Sequence, residues 1–161
     1  MDYLWSPWRY QYIANVRKDV GRCVFCIESS TEKDEQQFVL FRGKYNFVIL
    51  NIFPYTCGHL LVTPYEHIAD LSHCSEEQTA DMIKLSMRCK FAIEQTYHPD
   101  GFNLGMNLGK SAGAGVEQHI HLHVVPRWVG DANFMSIVGE TRVLPETLEV
   151  TYQKLKRYFT D

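Results

Sequence analysis

Gln118-His119-Ile120-His121-Leu122-His123-Val124-Val125 decides the fold. Read with the two-residue period of a strand, Ile120, Leu122 and Val124 fall on one face and all three histidines on the other. The apolar face suits a core. Successive side chains on one face lie ~6–7 Å apart, so the three imidazoles form a line beside whatever that face encloses. Imidazole titrates near neutrality and ligates metals, which gives such a line chemistry to perform. The bland alternative is the polar face of an edge strand whose histidines have no task.

Working outward, Gly109-Lys110-Ser111-Ala112-Gly113-Ala114-Gly115 lies just upstream. Small residues leave backbone N–H groups open to an anion, although a simple turn has the same composition. Placed before the histidines, the loop sets an anion cradle beside a nucleophile. Further upstream, a strand is expected at 102–107. Ser75-Glu76-Glu77-Gln78 resembles a capping box, and Met82, Leu85, Met87, Phe91 and Ile93 recur at helical spacing. That predicts a helix over 75–97, ended by Pro99-Asp100-Gly101. QFVLFR (37–42), YNFVILN (45–51) and HLLVTP (59–64) read as strands, the first two joined by the turn Arg42-Gly43-Lys44. Downstream of Pro126 a loop leads to a last helix over 146–159. The expected fold is α+β: an antiparallel sheet of about five strands, one long helix packed on it, and a C-terminal helix.

The chain has 161 residues, enough for one domain with a core and too few for two. The expected organisation is an arm with the CxxC at 1–36, a core at 37–126 and an extension at 127–161. The net charge of -3 argues against a nucleic-acid or acidic-membrane partner. No apolar run reaches membrane-spanning length, and the aromatic start MDYLWSPWRYQYI is unlike a secretory signal. A cytoplasmic location follows as the expectation. Five cysteines form no even disulfide framework, so reduced thiols are expected.

His119-Ile120-His121-Leu122-His123-Val124-Val125 resembles the histidine triad (HIT) motif. The resemblance extends over nearly the whole chain, through Asn51, Cys57-Gly58-His59-Leu60-Leu61-Val62, Gly105-Met106-Asn107-Leu108-Gly109 and Pro126-Arg127-Trp128. Within the superfamily it is most similar to the Fhit-like branch, including bacterial relatives of diadenosine tetraphosphate phosphorylases. It implies cleavage of a dinucleoside polyphosphate at the α-phosphorus, with phosphate or water as acceptor. By this resemblance His121 is the nucleophile, His123 serves the phosphate oxygens or leaving group, and His59 lies beside the triad that His119 opens. Asn51 would hold ribose hydroxyls, with strand-end capping as its alternative. Ser111, Gly113, Ala114, Gly115 and Trp128 would line the substrate, while packing and turn formation are the ordinary fates of such residues. Asn107 stands where Fhit-type hydrolases carry glutamine, and phosphorylase relatives share this asparagine and the Pro126-Arg127-Trp128 run. That favours inorganic phosphate as acceptor.

Cys23-Val24-Phe25-Cys26 has metal-ligand spacing but is half a site. Relatives in the galactose-1-phosphate uridylyltransferase branch bind zinc through a CxxC, a histidine placed like His67 and the first triad histidine. The resemblance therefore implies a structural zinc on Cys23, Cys26, His67 and His119, set against a redox CxxC or two buried cysteines. Magnesium accompanying the substrate is compatible with it. The branch also implies a homodimer, in which the N-terminal aromatics Tyr3, Trp5, Trp8 and Tyr10 would join the interface or cover the adenine pocket. Competing readings are a Hint-like nucleoside phosphoramidase, a nucleotide-binding signalling module with slow turnover, and a metal-binding module without catalysis.

Overall fold

β1 (Val39–Arg42) and β2 (Asn46–Leu50) form the antiparallel hairpin that the glycine turn predicts, closed by the Gly43 N–H on the Asn46 carbonyl at 2.8 Å. β3 (Leu60–Pro64) adds to β2, and β5 (Leu122–Arg127) lies between β3 and the edge strand β4 (Gly101–Gly105). Every pairing is antiparallel, in the order β1-β2-β3-β5-β4. This computed structural model describes residues 23–131 and 144–160. Tyr3, Trp5, Trp8 and Tyr10 lie outside the described residues.

Helix α1 (Glu76–Tyr97) starts at the predicted capping box: Ser75 Oγ accepts the Gln78 N–H at 3.1 Å, and Gln78 Oε1 accepts the Ser75 N–H at 2.7 Å. It ends where His98 turns left-handed (φ 48°). Met82, Leu85, Cys89, Ala92 and Ile93 of α1 pack with Leu40, Val48, Leu50, Leu60, Val62, Leu122 and Val124 of the sheet. Helix α2 (Leu148–Lys156) covers the same core with Tyr152 and Leu155. Each such buried aliphatic side chain contributes about 1.5–3 kcal/mol. Met87 and Phe91, expected on the core face of α1, lie 46% and 55% exposed. With Ile83 (51% exposed) they form an outward apolar stripe at four-residue spacing, a second periodicity that overlaps the first along one helix.

The opposite face of the sheet carries a cross-strand row. Val39 pairs with Ile49, Ile49 with Leu61, and Leu61 with His123. Phe25 and Phe47 pack into this second apolar cluster. The histidines therefore belong to a buried face, and not to a solvated strand edge.

Strand β5 begins at Leu122, four residues later than the two-residue period suggests. Upstream of it, hydrogen bonds leave the ladder: the Ile120 N–H goes to the Ile68 carbonyl (2.7 Å), and the Ile120 carbonyl accepts the Thr63 hydroxyl (2.8 Å). The strand also runs through Pro126, which sequence reads as its end. Pro126 lies past Leu60↔Val124, the last pair with β3, and faces a ladder on the β4 side alone.

Gly58 introduces His59 with φ +77°, and a Cβ there would stand 3.1 Å from the Tyr97 ring. Gly58→Ala is expected to destabilise the fold by at least about 1 kcal/mol, read as a lower urea midpoint at unchanged slope.

Candidate active site

His59, immediately before β3, is fully buried, and its ring is oriented by the loop 51–59. Its Nδ1 accepts the Tyr55 backbone N–H at 3.1 Å, and the Asn51 amide nitrogen lies 3.2 Å away. Two donors at Nδ1 require that nitrogen to be the bare one, so the proton sits on Nε2. His59 Nε2–H then donates to His123 Nδ1 at 2.9 Å. His123 in turn carries its proton on Nε2, a buried donor with no hydrogen-bond partner among the described residues. Burial, reinforced by the neighbouring His121, pushes the His123 pKa down to about 4. His123 is therefore a neutral N–H donor at neutral pH.

His121 is set the other way round. Its Nδ1–H donates to the His119 backbone carbonyl at 2.9 Å, which leaves the lone pair on Nε2. Burial lowers its pKa, partly offset by that carbonyl, which favours the uncharged ring. The His121 and His123 rings lie 4.9 Å apart, nearly perpendicular. A bare nitrogen thus sits beside a donor N–H, the pairing a phosphoryl centre needs for attack and charge dispersal.

His119 serves a third purpose. Its Nε2–H donates to the Pro64 carbonyl at 2.9 Å, turning the bare Nδ1 towards Cys23 Sγ (3.4 Å) and Cys26 Sγ (3.8 Å). His67 Nδ1 lies 3.3 Å from Cys26 Sγ, and all four ligand atoms fall within 4.8 Å of one another. The edges of a tetrahedral zinc site measure about 3.6 Å for S···N and about 3.8 Å for S···S, given usual bond lengths. The donor set fits zinc in both chemistry and spacing, and the Pro64 carbonyl supplies the outer contact that fixes the ligand's tautomer.

The remaining sequence-predicted residues divide. Asn51 Oδ1 accepts the Phe53 N–H at 2.9 Å, so the strand-end cap is formed and the amide also faces His59. Gly105 pairs with His123, and Asn107 and His121 each lie two residues beyond that pair. Ser111, Gly113 and Gly115 are exposed, with Gly109 and Gly113 at φ +79° and +90°. In this loop the N–H groups of Ala112, Gly113 and Ala114 turn inward onto Gly109 and Lys110 carbonyls. Trp128 is half-buried. Arg127, of the Pro126-Arg127-Trp128 run, is engaged by Asp131 (2.8 Å) and Asn103 (2.8 Å).

Three residues escaped the sequence reading. Phe25 lies between the cysteines, with its ring 4.9 Å from that of His121. Tyr55 stacks on His123 at 5.7 Å and 18°. Glu146 gathers Cys57 (3.1 Å), Thr151 (2.7 Å), Tyr97 and Lys154, so the Cys57 thiol serves as a hydrogen-bond donor. Burial pushes the Glu146 pKa up, but Lys154 and the hydroxyl and thiol donors outweigh it and hold it at about 2. Only the position of Phe25 inside CxxC carried a signal.

The profile of the HIT domain matches residues 32–129. The chain belongs to the HIT domain family. One HIT relative, the AP-4-A phosphorylase of Mycobacterium tuberculosis (strain ATCC 25618 / H37Rv), is 38% identical over 158 residues, covering 94% of this chain and 81% of its own. The bis(5'-adenosyl)-triphosphatase of Dictyostelium discoideum is 29% identical over 92 residues, 57% of this chain and 61% of its own. Among solved HIT structures, a zinc-bound histidine triad family protein from Mycobacterium smegmatis has a TM-score of 0.65 at 33% identity, covering 85% of this chain and 92% of that one.

The neutral histidines make stability pH-dependent. Between the unfolded value of 6.5 and about 4, the unfolded chain takes up a proton at position 123 that the native chain does not. The stabilisation is fully present above pH 6.5 and is lost as pH falls towards 4. Urea midpoints should therefore drop across this window, and His123→Asn should flatten the slope.

Proposed function

We propose that this chain is an enzyme cleaving dinucleoside polyphosphates of the diadenosine tetraphosphate type, through a covalent nucleotidyl-histidine on His121. The observation that carries this reading is the opposed tautomers of His121 and His123, one offering a lone pair and the other a proton. In the first step His121 Nε2 bonds to the α-phosphorus while the bond from phosphorus to the bridging oxygen breaks. The electron pair leaves on ATP, and His123 Nε2–H steadies the oxygen charge. In the second step an oxygen of phosphate or water attacks, the N–P bond breaks, and ADP or AMP departs. The names of the two curated relatives support this substrate class.

His59 keeps His123 in its donor tautomer, and His119 holds His121 through its carbonyl. Asn51 retains a second lone pair on Oδ1 for a ribose hydroxyl. Ser111, Gly113, Ala114 and Gly115 border the phosphates, and Trp128 borders the substrate channel. Asn107, close to His121 in the chain register, leaves room for phosphate as acceptor. Zinc on Cys23, Cys26, His67 and His119 would form a closed site that braces the chain and leaves no position for water. Magnesium travels with the polyphosphate and offsets its charge; no residue is assigned to it.

We place the protein in the cytoplasm, where thiols stay reduced, in keeping with five cysteines that form no disulfide. No helix among the described residues is long and apolar enough to cross a membrane. Nucleic acid is not a partner, in keeping with the net charge of -3. The chain works as a homodimer, for which the stripe Ile83, Met87, Phe91 and the edge strand β4 with exposed Leu104 provide an apolar surface. Met87→Glu with Phe91→Glu should shift the sedimenting species from dimer to monomer. A wild-type monomer at micromolar concentration would remove this part of the reading.

The assay is diadenosine tetraphosphate with and without inorganic phosphate, products separated by chromatography. ADP plus ATP, formed only with phosphate, is the expected outcome. AMP plus ATP regardless of phosphate makes water the acceptor. His121→Ala should retain fold and zinc yet lose at least about 10³-fold in turnover, as removal of a nucleophile does. Surviving turnover would exclude His121 from that role.

A further inference from the structure

The loop that carries the two cysteines also touches the nucleophile. It is tightly wound: the Phe25 N–H lies 3.4 Å from Cys23 Sγ, the Cys26 N–H bonds the Cys23 carbonyl at 3.1 Å, and the Ile27 N–H bonds the Phe25 carbonyl at 3.0 Å. This winding buries Phe25 to 7% exposure. Its ring lies 4.9 Å from the His121 ring at 45°, and 5.6 Å from the His119 ring, edge-on.

An imidazole has two soft torsions, and both must be held for its lone pair to keep a fixed direction. The Nδ1–H bond to the His119 carbonyl restrains the ring in its own plane. It leaves rotation about the hydrogen-bond axis open. Phe25 lies against the ring and opposes that rotation, with His123 on a further side at 4.9 Å. Two of the three restraints thus originate in the metal cluster, one from the ligand His119 and one from between the ligands Cys23 and Cys26.

We infer that the metal cluster orients the nucleophile, and that Phe25 is the positioning residue that completes this coupling. The inference rests on the proposed role of His121. Phe25 itself makes no bond to substrate. Its effect is to keep Nε2 in line with the phosphorus, where small misplacements cost rate and not affinity. With zinc in place the cysteine turn is pinned at both ends, and Phe25 is pinned with it. This gives a closed metal site an influence on the chemistry without any open coordination position.

The test uses the full zinc-loaded chain with Phe25→Leu, which removes the flat face, and Phe25→Tyr, which keeps it. Phe25→Met, unbranched and better able to fill an irregular gap, replaces the leucine variant should that one fail to retain metal. Three quantities are read: zinc per chain, kcat and KM separately on diadenosine tetraphosphate, and the long-range ¹H–¹⁵N signals of His121 without substrate. The leucine variant should keep its zinc, lose about tenfold or more in kcat with KM within about twofold, and show His121 ring signals that are shifted and exchange-broadened while still reporting the Nδ1–H tautomer. The tyrosine variant should stay within about threefold of wild type in kcat. Unchanged kcat and unchanged His121 signals in the leucine variant would overturn the inference. So would a raised KM at unchanged kcat, which would make Phe25 a wall of the substrate pocket. The spectra need no turnover, so a wild-type chain inactive on this substrate but with variant-sensitive His121 signals would sink the proposed reaction and leave the coupling standing.

Discussion

The hydrogen bond from His121 Nδ1–H to the His119 carbonyl is the contact on which the site depends. Its acceptor is main chain, so no substitution at position 119 removes the acceptor. It selects one tautomer, and that choice leaves the lone pair on Nε2. Burial adds the second requirement, because an imidazolium in this environment lacks the solvation it would need. Orientation comes from the backbone and neutrality from the apolar surroundings. Neither alone would leave an unprotonated Nε2 in a fixed direction.

The same logic runs through His59 and His123 in the opposite sense. A backbone N–H, that of Tyr55, strips His59 Nδ1 of its proton, and the polarity passes along two rings to end at a donor. The loop 51–59 that sets this up is held from behind. Glu146 receives Cys57, Tyr97 and Thr151, tying α1, α2 and the approach to His59 to one carboxylate. A C-terminal helix that sequence presents as a mere extension thus helps hold the orienting loop.

Legibility in the sequence followed the range of the interactions. The hairpin at Gly43, the capping box at Ser75 and the alternation around His121 and His123 are local, and each is written within a few residues. The ligand set was legible because the resemblance joined Cys23, Cys26, His67 and His119 across the chain, and the structure gathers their ligand atoms within 4.8 Å. What could not be read is long-range. The start of β5 is set by Ile68 and Thr63, more than fifty residues away from Ile120. The outward stripe of α1 carries the same residue types as its inward one, and only the direction of the sheet separates them. Arg127 gives no local sign that Asn103, on another strand, will take one of its donors.

The cross-strand row Val39, Ile49, Leu61, His123 has a consequence for how this chain can vary. Because strand side chains alternate, inserting or deleting one residue just ahead of Leu122 would exchange the two faces of β5. His123 would be driven into the core beneath α1, and Leu122 and Val124 would turn out of it. Function and folding would be lost in the same event. Length changes in this stretch are therefore forbidden more strictly than any single replacement, and lineages descended from such a chain should vary their spacing in the loops and keep the strand's frame intact.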